Sequence, residues 1–430
     1  MISPLPRRFF SRRHPFLCRY VFRRLAVFIC IIALSTLLYG CAAPPASCTD
    51  PLGCLSIPPG GSIRIAYLLA FTGPFQSLGS QALGGVELAI QDRGGELLGH
   101  PIETAGEEPD CTRESLLKSA TQIATRENIL GVIGPFCPMN APPALEVLRN
   151  AGSVAIALPE TTLAAPLDER FPPGVFRLSP DEGMQGQLAA EFAYQALGAR
   201  RAAVFKEASG YSQNLSNSFS KTFRALGGTI THQFSITEDT TDFTPFYEQI
   251  AADPPDVLYL PLFRRSGDLA LRQYRDSPLS SQVPLLGGDG LSDHDLYKEA
   301  GLPGEMYVTG IPLAGDRYAR FTAEWQAKYG DPPGNSQAAL AYDATEVLLD
   351  SAQEVAIEGQ SGTLTIGRLA LRRALAGLDG YPGLSGSISC QPSGECVTGG
   401  SLAVFAIPSG AASGSRWPPG IIWQGEQNGR

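Results

Sequence analysis

The sequence predicts an α/β protein built as two successive layers of mainly parallel sheet. Two observations carry this. From Ile63 onward, short β-branched runs alternate with longer stretches of 3.6-residue apolar periodicity, the pattern of βαβ units. Apolar residues make up 43% of the chain and charged residues 17%, the balance of a globular protein with ample core.

The elements follow in order. Strands are expected at 63–70, 101–107, 129–133, 153–158 and 175–178, with helices at 81–91, 113–127 and 141–150 between them. A second set runs through helix 182–197, strand 201–205, helix 213–226, strand 229–234, helix 243–252, strand 257–262, helix 267–276 and strands 283–286 and 306–310. Helices 317–329, 337–355 and 366–375 then follow with no evident strand between them. The stretch 386–407 alternates like a hairpin around Gln391-Pro392-Ser393-Gly394-Glu395, and the residues around Pro418 and Pro419 read as a loose tail.

The N-terminus reads as an export signal. Seven arginines precede the apolar run 25–38, which is short for a bilayer span, and Leu38-Tyr39-Gly40-Cys41 follows. Residues 1–40 are expected to be a lipoprotein signal peptide, with Cys41 lipidated. Two or more acyl chains, at roughly 0.8 kcal/mol per buried methylene, hold a protein on a membrane without a spanning helix. An uncleaved anchor helix would tether the body equally well. Residues 41–62, rich in Pro, Gly and Ser, read as a tether. Without residues 1–40 the chain keeps 26 basic against 42 acidic residues, a net charge of −16, which argues against nucleic acid as a partner. Six cysteines remain beyond Cys41, an even number suited to disulfides in an oxidising compartment. Six cysteines allow about fifteen pairings. The spacings favour near neighbours: Cys48–Cys54, Cys111–Cys137 and Cys390–Cys396. A metal site is disfavoured by the lack of CxxC spacing, and no cofactor is implied.

Several strings, in order, resemble a known family: Ile65-Ala66-Tyr67 with Thr72-Gly73-Pro74, Gly85-Val86-Glu87-Leu88-Ala89, Gly131-Val132-Ile133-Gly134-Pro135, Val175-Phe176-Arg177-Leu178-Ser179-Pro180-Asp181, Tyr211, Asp242-Phe243 and Ala341-Tyr342-Asp343-Ala344. Over 63–407 the chain resembles the type I periplasmic binding proteins, the branched-chain amino acid receptors of ABC importers. Cys111 and Cys137 match a disulfide of some members. The resemblance implies two doubly wound, Rossmann-like lobes joined by a three-stranded hinge and closing on a ligand. Lobe one would comprise 63–178 plus 312–379 and lobe two 179–311 plus 380–424, with crossings near Ser179, Pro312 and Gly380 and the C-terminal hairpin completing lobe two.

The resemblance also implies site residues. The loops 134–140 and 159–162 would hold a ligand carboxylate on helix N-termini, with Thr161 and Thr162 supplying hydroxyls and N–H groups. Pro138 stands where the family places a serine and has no N–H, so Asn140 is expected to compensate through its amide. Tyr211 and Phe263 would be aromatic pocket walls, and Asp289 the acidic partner of the ligand's ammonium. Leu78, where an aromatic is common, would leave a roomier or more apolar wall. Glu160, beside the threonines, would repel an anion, so it is expected either to point away or to recognise a cationic or amide ligand.

Enzyme motifs are absent: there is no GxxxxGK[ST], HExxH, GxSxG or GxGxxG after the first strand. His100, His232 and His294 read as surface or capping residues, and Asp293 with Asp295 as a helix-start feature. The expected function is therefore a lipid-anchored, extracytoplasmic receptor, acting as a monomer. It would pass an amino acid or related amide to an ABC permease. A sensory receptor or an interaction lipoprotein of the same fold is the alternative.

Overall fold

The computed structural model describes residues 48–137, 140–158, 174–179, 182–237, 239–280, 282–293, 296, 306–359, 361–398, 402–407 and 419–424. Cys41, Thr161, Thr162, Glu160, Pro138, His294 and Asp295 lie outside them, as do the signal segment and the first part of the tether.

Two large sheets organise the chain. The first has nine strands in the order Tyr381–Gly383, Gly386–Cys390, Glu395–Thr398, Val175–Ser179, Ala155–Ala157, Ile129–Ile133, Ile63–Tyr67, His100–Thr104 and Glu96–Leu97. Pairing is parallel from Glu395–Thr398 through His100–Thr104. Such strands, covered on both faces by helices, read as continuous apolar runs, and Ile129–Ile133 is buried at every position. The second sheet has seven strands: Ile421–Gln424, Ala403–Ile407, Met306–Gly310, Leu285–Gly287, Val257–Leu260, Arg201–Glu207 and Thr229–Ile236. Its last five strands are parallel. Each sheet reverses direction beside its first strand in sequence, so each lobe is doubly wound with a switch point at the strand ends.

The expected helices are present with shifted ends. Gln76–Asp92 and Gln337–Val355 form the interior pair of the first lobe. They approach closely because Gly85 has no side chain: a Cβ there would lie 2.1 Å from the Ala338 carbonyl oxygen. Helix Gln337–Val355 is buried on almost every face, so it is a core helix and not an amphipathic surface one.

Four expectations are corrected. The hairpin Gly386–Cys390 with Glu395–Thr398 extends the first sheet and not the second. Glu395–Thr398 runs parallel to Val175–Ser179, the Arg177 N–H donates to the Gly394 carbonyl at 2.8 Å, and Arg177 Nε meets Glu395 Oε2 at 2.9 Å. Alternation identifies a hairpin without saying which sheet edge receives it. The second sheet is finished by Ala403–Ile407, antiparallel to Met306–Gly310, so the third crossing falls between Thr398 and Leu402 and not near Gly380. The supposed tail supplies an edge strand, Ile421–Gln424. The supposed tether is part of the body from Cys48 on. Cys54–Ile57 pairs antiparallel with Leu364–Gly367, which pairs in turn with Ala356–Glu358, a small sheet where the sequence showed no strand. Leu55 and Ile57 are buried in the first lobe's core, and Asp50 accepts from the N–H groups of Leu369 and Ala370, capping helix Arg368–Ala376 across the chain.

All three disulfides are formed as paired from their spacing, with Cα separations of 5.8 Å for Cys48–Cys54, 5.4 Å for Cys111–Cys137 and 3.9 Å for Cys390–Cys396. Cys111–Cys137 closes a span of 26 residues, and chain entropy assigns such a loop about 3 kcal/mol. Reduction is expected to lower the melting temperature. A melting curve unchanged after verified thiol release would remove the bond from the stability account.

Candidate functional site

The site grows from the C-terminal ends of the second sheet's parallel strands. After Arg201–Glu207 the chain turns into helix Gly210–Ala225, whose start is capped by Ser209 accepting from the Ser212 N–H at 3.1 Å. This places Tyr211 in the first turn. Phe263 follows Val257–Leu260 at the start of helix Arg264–Arg275. Asp289 follows Leu285–Gly287 in a single 3-10 turn. Three strand ends thus bring together three residues more than twenty apart in sequence.

Their geometry is specific. The Tyr211 hydroxyl donates to Asp289 Oδ1 at 2.7 Å and accepts from the Gly290 N–H at 2.9 Å. The second bond commits the hydroxyl proton to the carboxylate. Gln185, fully buried in helix Glu182–Glu191, donates through Nε2 to Asp289 Oδ1 at 2.9 Å and to Thr309 Oγ1 at 2.9 Å. Both of these side-chain bonds end on Oδ1, so the carboxylate retains acceptor capacity. Gly288 is needed beside it, since a Cβ there would lie 2.4 Å from the Tyr211 hydroxyl oxygen. Phe263 stacks on Tyr211 with centroids 4.9 Å apart. Burial raises the Asp289 pKa above the ordinary carboxyl value, and the bonds from Gln185 and Tyr211 hold it partly down. A carboxylate so enclosed gains most from a cationic partner.

Asp289 faces a cleft of about 30 Å³ shared by the two lobes. Ser292, Gly310 and Phe405 line it from the second sheet's side, and Tyr318, Asn335 and Ser336 from the helices that follow the second crossing. Phe75, at the start of helix Gln76–Asp92, meets Phe263 edge-on at 5.9 Å and Phe136 at 5.9 Å. Ser77 Oγ donates to Asp293 Oδ2 at 3.1 Å, and Arg264 pairs with the same carboxylate at 2.8 Å. These contacts join first-lobe residues to second-lobe ones, so the lobes are closed on each other in this structure.

Not every expected residue joins the site. Asn140 Nδ2 donates to the Cys111 carbonyl at 2.9 Å, so its amide N–H braces the disulfide loop instead of standing free for a ligand. Leu78 is 7% exposed and belongs to the first lobe's core, packed there and not left as an open wall. His100 is buried and not at the surface, its Nδ1 lying 3.0 Å from the Gly61 carbonyl oxygen. Asp293 is likewise more than a helix-start feature, being 3% exposed and bonded across the cleft. Among the described residues no cluster of His, Cys, Asp and Glu is placed to hold a metal ion.

Sequence reasoning missed Gln185, Phe75 and Asn335. Gln185 carried one signal: it lies on the helical face that also presents Leu188, Ala189 and Phe192, all buried, where a polar side chain needs a buried partner.

Comparison with known proteins agrees with this architecture. An amino acid binding protein of Pseudomonas aeruginosa is 26% identical over 242 residues, 56% of this chain, and the match spans 63% of that relative's length. A Leu/Ile/Val-binding protein homolog of Brucella melitensis is 24% identical over 66% of this chain and 77% of its own length. Among solved structures, a leucine-binding protein from Thermotoga maritima superposes with a TM-score of 0.70 at 23% identity, over 84% of this chain and 98% of that one. A branched-chain amino acid binding protein from Streptococcus pneumoniae, bound to isoleucine, gives 0.72 at 19% identity, over 85% and 100%. A solute-binding protein from R. palustris bound to benzoate gives 0.68 at 21% identity, over 81% and 94%. The profile of the periplasmic binding protein family matches residues 62–400, well over half of the sequence. With its two doubly wound lobes and a cleft at the strand ends, the chain belongs to the periplasmic binding protein family.

Proposed function

We propose that this protein is an extracytoplasmic solute receptor, lipidated at Cys41, that captures a small amino acid or related amide and presents it to an ABC permease. The observation that carries the reading is Asp289, an enclosed carboxylate oriented by Tyr211 and Gln185 and facing a cleft whose other wall belongs to the opposite lobe. A cationic nitrogen there would make a charge-assisted hydrogen bond in a partly desolvated site. The loops 134–140 and 159–162 are assigned to the ligand's carboxylate, with Thr161 and Thr162 as donors and not the Asn140 amide, as helix starts suit an anion. Contacts from both lobes favour the closed form, and only that differential affinity can drive closure. The amino-acid-binding names of the relatives support the same ligand class.

The test is a thermal-shift screen of the chain lacking residues 1–41 against L-amino acids, their amides, urea and short carboxylates. Ligand at 100 times its Kd stabilises the native state by about 2.7 kcal/mol, so a clear rise in melting temperature is expected with L-amino acids. A well-folded protein that responds to none of them would shift the reading to a sensory or interaction role.

A further inference from the structure

Beside the cleft, and outside its lining, a second set of contacts crosses from lobe to lobe. On the first lobe it consists of Phe75 and Ser77, at the start of helix Gln76–Asp92. That helix start is a fixed part of its lobe: a Cβ on Gly79 would lie 2.0 Å from the Ala70 carbonyl oxygen, so the first turn rests on the backbone leaving strand Ile63–Tyr67. On the second lobe the set consists of Phe263, Arg264 and Asp293. These are fixed too. The Phe263 N–H donates to Glu207 Oε2 at 3.1 Å, and helix Arg264–Arg275 packs on Leu291 so closely that a Cβ on Gly267 would lie 2.2 Å from its Cδ2. Asp293 divides its oxygens across the boundary. Oδ1 accepts from Arg264 Nη1 at 2.8 Å and from the Leu296 N–H at 3.1 Å, both in the second lobe, and Oδ2 accepts from the Ser77 hydroxyl at 3.1 Å. Phe75, half-buried, packs against the apolar cores of both lobes.

We infer that Phe75 and Ser77 are positioning residues that latch the lobes together, their contacts with Phe263 and Asp293 setting the open–closed equilibrium without touching the solute. The inference goes beyond the amino-acid reading and holds for any solute. Opening parts the two rings and gives Asp293 Oδ2 to water, and closing returns it to the Ser77 hydroxyl. Without that hydroxyl the closed form keeps a buried carboxylate short of one donor, a penalty absent from the open form, where water reaches the oxygen. Without the Phe75 ring the closed form loses apolar area that only closure removes from water. The turn that presents Asp289 to the cleft runs directly into Asp293, with the Ser292 N–H donating to the Asp289 carbonyl at 2.8 Å. One short segment thus carries the cleft's carboxylate and the latch's. Apparent affinity scales with the population of the form that binds, so loss of the latch weakens every solute held by both lobes by one common factor.

Small-angle neutron scattering of the full chain in contrast-matched detergent, with no solute added and well below the melting temperature, tests this. The wild-type curve is expected to fit the closed lobes. Ser77→Ala should lower the closed-to-open ratio about tenfold, read as a larger radius of gyration, and Phe75→Ala should do the same through the other contact. Ser77→Thr keeps the hydroxyl and should restore the wild-type curve. A merely structural role for either residue would lower the melting temperature and leave the radius of gyration where it was. That result in both alanine variants, or a wild-type curve that already fits separated lobes, would overturn the inference. Either would leave the receptor reading standing, because the scattering is recorded without solute and that reading is tested by the thermal-shift screen.

Discussion

Asp289→Ala is expected to abolish measurable binding of any ammonium-bearing ligand. The carboxylate is held by Tyr211 at 2.7 Å and Gln185 at 2.9 Å, and among the described residues no Asp or Glu other than Asp289 lines the cleft. Truncating one partner of a buried, hydrogen-bonded charge pair costs about 2–5 kcal/mol, a loss of roughly thirty- to several-thousand-fold in affinity. Asp289→Asn separates charge from shape, because an amide oxygen still accepts from Tyr211 while the charge is gone. Its affinity should fall nearly as far. The same group sets a pH dependence. Burial raises the free Asp289 pKa, and a bound cation pulls it down, so affinity is full above the raised value and declines as pH falls through it, with a proton released on binding near that pH. Titration calorimetry across pH in two buffers reads both effects. Unchanged affinity in the alanine variant would remove the amino acid assignment.

The second large effect is on stability and lies away from the cleft. Asp343, in the core helix of the first lobe, is fully buried. It accepts from the Leu384 N–H at 2.6 Å, the Ser385 N–H at 2.8 Å and the Ser385 hydroxyl at 2.6 Å, pinning the turn between the edge strand Tyr381–Gly383 and its neighbour Gly386–Cys390. Burial pushes its pKa up to about 6, against the bonds from Ser385 and Leu384 and the nearby Arg317, which favour the charged form. A carboxyl whose folded pKa lies above its unfolded value binds more protons when folded. Its contribution is complete below about pH 4 and is lost as pH rises through about 6. At about 1.4 kcal/mol per unit over roughly two units, that loss is about 3 kcal/mol. Asp343→Asn keeps an oxygen for the turn and does not titrate. The difference in unfolding free energy between variant and wild type, followed by urea unfolding from pH 4 to 7, should therefore shift toward the variant as pH rises. A difference that stays flat across that range would mean that Asp343 does not titrate there.

Much of this was legible before any coordinates. The alternation of β-branched runs and 3.6-residue periods reports burial on one sheet and one helix face, and burial pattern is local information. The positions of Tyr211, Phe263 and Asp289 came from the family resemblance, and each lies within four residues of a strand's C-terminal end, where an open parallel sheet exposes its ligand-binding edge. Cysteines close in sequence paired as their spacing favoured, since short loops bring them together at little entropic expense. What was missed is non-local. Leu78 and an open pocket wall look identical in sequence, and only packing decides between them. Gln185 lies more than a hundred residues from Asp289, and Phe75 nearly two hundred from Phe263.

The sequence by itself determined the α/β class, the repeated βαβ units and the disulfide pairs, because each depends on patterns within a few tens of residues. Only the tertiary structure decided that the C-terminal hairpin joins the first sheet, that Cys54–Ile57 is a strand and not a tether, and that Gln185 bonds Asp289. Each of those turns on which of several equivalent edges or surfaces a segment meets, and local propensity does not distinguish them. The choice is made by the total apolar area and the hydrogen bonds completed when the whole chain closes.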